Sequence, residues 1–286
     1  EAVKRAGLEL CDASEELRGD RDVVLEAVRQ RGWVLQFASE DLRADREVVL
    51  EAVQKNGAAL KYASTELQAD KECVLAAVRR NRWVLEFASA DLRSDKEIVL
   101  EAVRNNGVAL KYAGRDLQAD REVVLEAVKQ NGVALEYAGE DLRAHKDLVL
   151  EAVKKDGVVI EYASENLRGD TEVVLESVRE NGLALQCANE ILRADTEVVL
   201  EAVRQNGEAL EYASEDLQAD KDMVLLAARC CGQLGSDVIG NLVREAGIEA
   251  TTFEEVARCS IAAAGENGCL TVSVSLSPIL AGCGDD

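Results

Sequence analysis

Residues 120–144 read DREVVLEAVKQNGVALEYAGEDLRA, and the same phrase returns every 25 residues from Glu1 to Leu225, giving nine copies. Counted from Glu1, copy 6 is residues 126–150. A short fixed period means that the chain grows by stacking units on their neighbours and not around one central core.

One copy shows what the unit is, and residues 20–44 serve. Asp20 is a good N-cap, and Val23, Val24, Leu25, Ala27 and Val28 form a wide apolar helical stripe, so a helix of about 11 residues is expected. Glycine follows it at Gly32, and Asn-Gly pairs follow at Asn56-Gly57, Asn106-Gly107, Asn131-Gly132, Asn181-Gly182 and Asn206-Gly207. The expectation is a left-handed glycine that closes the helix C-terminus. Copy 4 departs with Arg82, which would cost ~1 kcal/mol if the backbone there kept positive φ. Asp22, Glu47, Glu97 and Glu122 lie in first turns while Arg29, Arg104, Lys129 and Arg204 lie in last turns, each matching the helix macrodipole.

The second half of the unit places Val34, Leu35, Ala38 and Leu42 at helical spacing, which predicts a second helix packed antiparallel to the first. Ser39, followed by Glu40 and Asp41, offers an alternative in which a fresh capped turn begins there and part of the element is 3₁₀-like. Leucine recurs without exception from Leu17 and Leu42 to Leu192 and Leu217 and is read as the knob between copies. Two short helices per copy cannot bury their stripes alone. The predicted fold is therefore all-α, an α-solenoid of nine two-helix repeats over residues 1–232, with a short divergent C-terminal tail over 233–286. In that tail, helices are expected near 236–247 and 253–264, and alternation from Leu270 to Leu276 predicts a strand. Glu1 aligns with Glu26, Glu51 and Glu101, so the chain is expected to begin inside a copy, as a fragment or as a sequence lacking its start.

Phrases such as Val24-Leu25, Ala27-Val28, Asn56-Gly57, Leu60, Ala63 and Leu67 resemble the tandem repeats of the domain of unknown function 4116 family over residues 1–231. That resemblance implies tandem helical repeats and carries no activity, catalytic residue or cofactor. A looser similarity is to the leucine-rich repeat variant solenoids, which alternate α and 3₁₀ helices at nearly the same period.

Composition limits the function. The formal net charge is -22 and is spread along the chain, with no basic stripe to neutralise phosphates, so nucleic acid and anionic membrane are disfavoured, and a basic protein or peptide partner, or none, is the more natural expectation. No stretch approaches a membrane-spanning length of apolar residues. Eight cysteines (Cys11, Cys73, Cys187, Cys230, Cys231, Cys259, Cys269 and Cys283) show no CxxC pair, so they are read as reduced thiols in a cytoplasmic setting, with a zinc site in the tail disfavoured. His145 is the only histidine and takes the place of the capping aspartate, where a weaker cap is expected. Carboxylates recur as surface charge, and no pair stands out as an acid/base couple. No catalytic residue, metal site or cofactor is assigned.

Candidate binding residues are sought where the phrase departs from itself. Trp33 and Trp83 occupy a place that holds Ala58, Val108, Val133, Val158, Leu183 and Glu208 elsewhere, and each has a phenylalanine four residues on, Phe37 or Phe87. Tryptophan is enriched in binding hot spots, although local packing also accounts for it. Lys61, Lys111 and Arg115 are further departures. The aromatic column Phe37, Tyr62, Phe87, Tyr112, Tyr137, Tyr162 and Tyr212 is read as packing between copies with the hydroxyls at the rim, a ligand-stacking groove being the alternative. The expected function is a non-catalytic scaffold that binds a protein or peptide. The alternatives are a spacer or accessory arm of a larger multidomain enzyme and, lastly, an enzyme with its chemistry in the Cys-rich tail.

Overall fold

A computed structural model describes residues 9–81 and 83–230. The tail elements, the cysteines from Cys231 onward, Arg82 and the start of copy 1 lie outside the described residues. The described chain is an all-α, solenoid-like stack, and no strand occurs among the described residues. Each unit has three parts: a long α-helix such as Arg121–Gln130, a 3₁₀ turn such as Gly132–Tyr137, and a one-turn α-helix such as Glu140–Arg143.

The second half is thus split into two elements, and hydrogen bonding explains why. Ala38 leaves helical geometry, Ser39 then caps the short helix by accepting the Leu42 N–H at 3.4 Å, and the Ser39 N–H donates to the Arg18 carbonyl of the preceding copy at 3.0 Å. A continuous helix would spend that N–H within itself. The bond between copies recurs at Ser64 to Arg43 (2.9 Å), Gly114 to Arg93 (2.8 Å), Ser164 to Arg143 (3.0 Å) and Ser214 to Arg193 (2.9 Å), so the backbone itself ties each copy to the one before it.

The glycines after the long helices are not the left-handed stops expected from the sequence. Gly32, Gly57, Gly107, Gly132, Gly157 and Gly182 do not adopt left-handed backbone. The asparagine before the glycine ends the helix in an extended conformation, φ -153° at Asn131, and its side-chain oxygen accepts the N–H two residues on, from Val133 at 3.0 Å. The glycine is needed because the next copy approaches too closely for a side chain. A Cβ on Gly132 would lie 2.6 Å from the Ala152 carbonyl oxygen, and one on Gly57 would lie 2.5 Å from that of Ala77. Around Arg82 the flanking elements, Lys71–Val78 and Val84–Phe87, are shorter than their counterparts Lys96–Asn105 and Gly107–Tyr112.

The core is one continuous column. From each long helix come residues such as Val123, Val124, Ala127 and Val128, and from each 3₁₀ turn a small residue and a leucine such as Ala134 and Leu135. The deepest knob is this second leucine, in the column Leu35, Leu60, Leu85, Leu110, Leu135, Ile160, Leu185 and Leu210. The column read from the sequence as the knob lies nearer the rim: Leu117 and Leu142 are buried, but Leu17 is 41 % exposed.

An ion-pair ladder joins the helix N-termini. Arg21 pairs with Asp45 (2.9 Å) and Glu47, Arg46 with Asp70 (3.4 Å) and Glu72, Lys71 with Asp95 (2.9 Å) and Glu97 (2.7 Å), Lys96 with Asp120 (2.8 Å) and Glu122 (2.9 Å), and Lys146 with Asp170 and Glu172 (both 2.8 Å). Each cation stands in the first helical turn, against its own macrodipole, because its partners are the cap and first-turn carboxylates of the next helix. Hydrogen bonding from Lys96 holds the Asp120 carboxyl below the usual carboxylate range, and Lys146 does the same to Asp170. These pairs are solvent-exposed and weak individually, so they set register more than they add stability.

His145 interrupts this ladder. Its side chain makes no cap hydrogen bond to the helix Lys146–Val153, its Nδ1 instead approaches the Asp141 carbonyl at 2.6 Å, and Arg121 keeps only Asp147 of the usual carboxylate pair. Even the weak cap expected from the sequence is therefore not made. His145→Asp should restore the cap and stabilise the chain by about 1 kcal/mol. Thermal unfolding checks this: a raised melting temperature is expected, and an unchanged or lowered one contradicts the capping account.

Candidate binding surface

The 3₁₀ turns and short helices form an edge along the stack, and in copies 3 to 9 they expose the residue before the aromatic place and the first two residues of the short helix. In copy 6 these are Glu136, Glu140 and Asp141, beside a half-buried Tyr137 packed on the core. The last residue of the short helix closes the unit. Where it is glutamine, its amide ties down the end of the 3₁₀ turn: Gln118 Nε2 donates to the Leu110 (3.1 Å) and Lys111 (3.2 Å) carbonyls, and Gln218 to those of Glu211 (2.6 Å) and Ala213 (2.9 Å). Where it is arginine, as at Arg43, Arg93, Arg143, Arg168 and Arg193, its Nε is buried without a protein partner. Between copies 6 and 7 this geometry leaves a shallow groove of about 280 Å³ lined by Glu140, Arg143, Tyr162, Ala163 and Ser164.

The residues singled out in the sequence do not form one site. Trp33 is half-buried and meets Phe37 edge-on, with ring centroids 6.0 Å apart and planes at 74°. Trp83, two copies further on, is 46 % exposed, and Phe87 packs against the core. Lys61 Nζ lies over the Tyr62 ring, 4.6 Å from its centroid, and Lys111 Nζ lies 5.7 Å from that of Tyr112. Both lysines thus already contact their own tyrosines. Arg115 is an exposed first residue of the short helix Arg115–Gln118.

Ile191 was not singled out by the sequence reading, yet it is 77 % exposed where other copies have Asp41, Asp91, Asp116, Asp141 and Asp216. The signal was present in that column, but an apolar residue on a helix reads as core until its face is known. The same copy has Cys187 where an aromatic usually stands.

Electrostatics along the edge are dominated by carboxylates. Burial first, and then the neighbouring Glu161 carboxylate, push the Tyr162 phenol up to about 12; burial and Glu136 raise Tyr137, and burial and Glu86 raise Tyr112. Burial also pushes the Cys73 thiol up to about 12 and raises Cys187 and Cys230, which keeps these thiols protonated and poorly nucleophilic. Among the described residues no group of histidine, cysteine and carboxylate side chains is arranged to hold a metal ion, and no helix is long and apolar enough to cross a membrane.

Stacked α and 3₁₀ elements, a core that stays almost wholly apolar from copy to copy and a variable edge define a tandem-repeat solenoid. The chain belongs to the family described as Domain of unknown function (DUF4116), which matches residues 1–43, 45–93, 95–143, 145–193 and 195–235. Neither a curated protein nor a solved structure matches the chain. A complete family unit spans two 25-residue copies, and several departures share that doubled period: Trp33 and Trp83, Phe37 and Phe87, and Lys61 and Lys111.

Proposed function

We propose that this chain is a non-catalytic scaffold that binds a protein or peptide of basic character along its stacked surface. The observation that carries this reading is the contrast between the buried rows, which stay almost wholly apolar from copy to copy, and the exposed places of Trp83 and Ile191, where most other copies carry a different kind of residue. An exposed tryptophan on a rigid element is a usual anchor of an interface, and an exposed isoleucine offers apolar area for a partner to cover. The net charge of -22 supports a basic partner, and the thiols of Cys73, Cys187 and Cys230, none of them in a disulfide, suit a reducing, cytoplasmic setting.

The test uses the full chain as bait, with Trp83→Ala and Ile191→Asp as variants. A protein captured by the wild type should be captured at least tenfold less well by one of them, with the circular dichroism spectrum unchanged. A partner retained equally by both variants contradicts the assignment of these anchors.

A further inference from the structure

The edge of 3₁₀ turns and short helices is not uniform along the stack. Counting the half-buried last residue of each short helix together with the three exposed places, copies 3 to 5 hold four carboxylates (Glu66, Glu86, Asp91 and Asp116) against four cations (Lys61, Arg93, Lys111 and Arg115), so that stretch is neutral. In copies 6 to 9 the same places hold nine carboxylates, from Glu136 to Asp216, against three arginines, so that stretch is strongly negative. The groove lined by Glu140, Arg143 and Tyr162 lies in the negative stretch.

The neutral stretch shows what this edge accommodates. In copies 3 and 5 the residue before the tyrosine is a lysine, and its ammonium sits over the ring at 4.6 Å and 5.7 Å, within the range of a cation–π contact. In copies 6, 7 and 9 that residue is a glutamate, Glu136, Glu161 or Glu211, beside the same half-exposed tyrosine. The ring is therefore presented without an ammonium from the chain's own neighbouring residue and with a carboxylate in its place. Copy 8, between copies 7 and 9, has Gln186 and Cys187 in place of that pair and the exposed Ile191 at the second place of its short helix.

We infer that this edge of copies 6 to 9 binds an extended basic peptide segment, seating Lys or Arg side chains over Tyr137, Tyr162 and Tyr212 and an apolar side chain on Ile191. The inference rests on the scaffold reading above and gives it a location and a chemistry. Spacing follows from geometry: packed helix layers repeat at about 8–10 Å, and three residues of extended chain rise about 10 Å. One copy thus reads every third residue, and the order along the stack is cation, cation, apolar, cation.

Fluorescence anisotropy on the full chain tests it, using the labelled peptide Lys-Ser-Ser-Lys-Ser-Ser-Leu-Ser-Ser-Lys, its reverse, and a control of the same composition with the three lysines and the leucine contiguous. One of the two spaced peptides should bind at least tenfold more tightly than the control. Glu136→Lys with Glu161→Lys, which recreates the copy 3 arrangement, should weaken that binding at least tenfold. Glu140→Lys with Glu165→Lys provides a second exposed pair in case the first disturbs folding. Equal affinity for the spaced and contiguous peptides, or less than a twofold change in both double variants, overturns the inference. A captured protein partner lost with Trp83→Ala but kept with Glu136→Lys/Glu161→Lys overturns this edge while leaving the scaffold reading intact.

Discussion

Gly107→Ala is expected to destabilise the chain by about 3 kcal/mol, near the upper end for overpacking, although it adds one methyl group in a backbone conformation that alanine tolerates. The added Cβ would overlap the Ala127 carbonyl oxygen and come 3.1 Å from the Asn131 nitrogen, both backbone atoms of the next copy. That carbonyl accepts the last hydrogen bond of the helix Arg121–Gln130, from Asn131 N–H at 2.9 Å, so it cannot turn away without opening the helix end. The Gly107 N–H also donates to Gln130 Oε1 at 2.7 Å, and separating the two copies would break that contact as well. Gly139→Ala is the control: its Cβ would meet Ala119 at 3.4 Å and the Gln118 carbonyl oxygen at 3.6 Å, both ordinary contacts, and little change is expected. Urea unfolding of both variants measures the difference. Equal midpoints would show that the Asn-Gly glycines serve the local turn and not the junction between copies.

Leu110→Ala should cost about 4 kcal/mol, in the upper part of the range for buried leucines. Leu110 is fully buried between its own 3₁₀ turn and the helices on either side, and a stack whose walls are held by neighbours on both sides has little freedom to collapse into the space. Leu117, from the column most conspicuous in the sequence, is 8 % exposed and should cost roughly half as much. Leu17→Ala should cost less than about 1 kcal/mol, because that side chain is 41 % exposed and has little burial to lose. The same unfolding assay ranks the three, and a Leu117→Ala loss equal to that of Leu110→Ala would place the knob where the sequence alone put it.

The repeat, its helical character and its core stripe were legible because they depend on periodicity within one copy. Val24, Ala27 and Val28 announce a buried face whatever they pack against. The glycine after Asn56 was misread for the opposite reason: a left-handed stop and a close approach leave the same residue in the sequence, and only the neighbouring Ala77 carbonyl distinguishes them. The split of the second element was half visible in Ser39, whose capping role can be read locally, whereas its bond to the Arg18 carbonyl lies 21 residues back. The ion-pair ladder left a usable trace, since Arg21, Arg46, Lys71 and Lys96 stand in first turns where the macrodipole disfavours them. Among candidate binding residues, tryptophan attracted attention by its type, which does not separate the exposed Trp83 from Trp33, folded against Phe37. Ile191 escaped because exposure is a property of the face and not of the residue.

The central claim is that each copy is held by its immediate neighbours, through the glycine junction, the cap-to-carbonyl bond and the leucine knob, and that the edge so built is free to vary. Site-resolved amide hydrogen exchange on wild type and Gly107→Ala tests this most directly. The expected result is loss of protection centred on residues 96–137, with copies 1, 2, 8 and 9 exchanging as in the wild type. Uniform loss of protection from end to end would mean that the chain unfolds as one globular unit, and would contradict the stacked account.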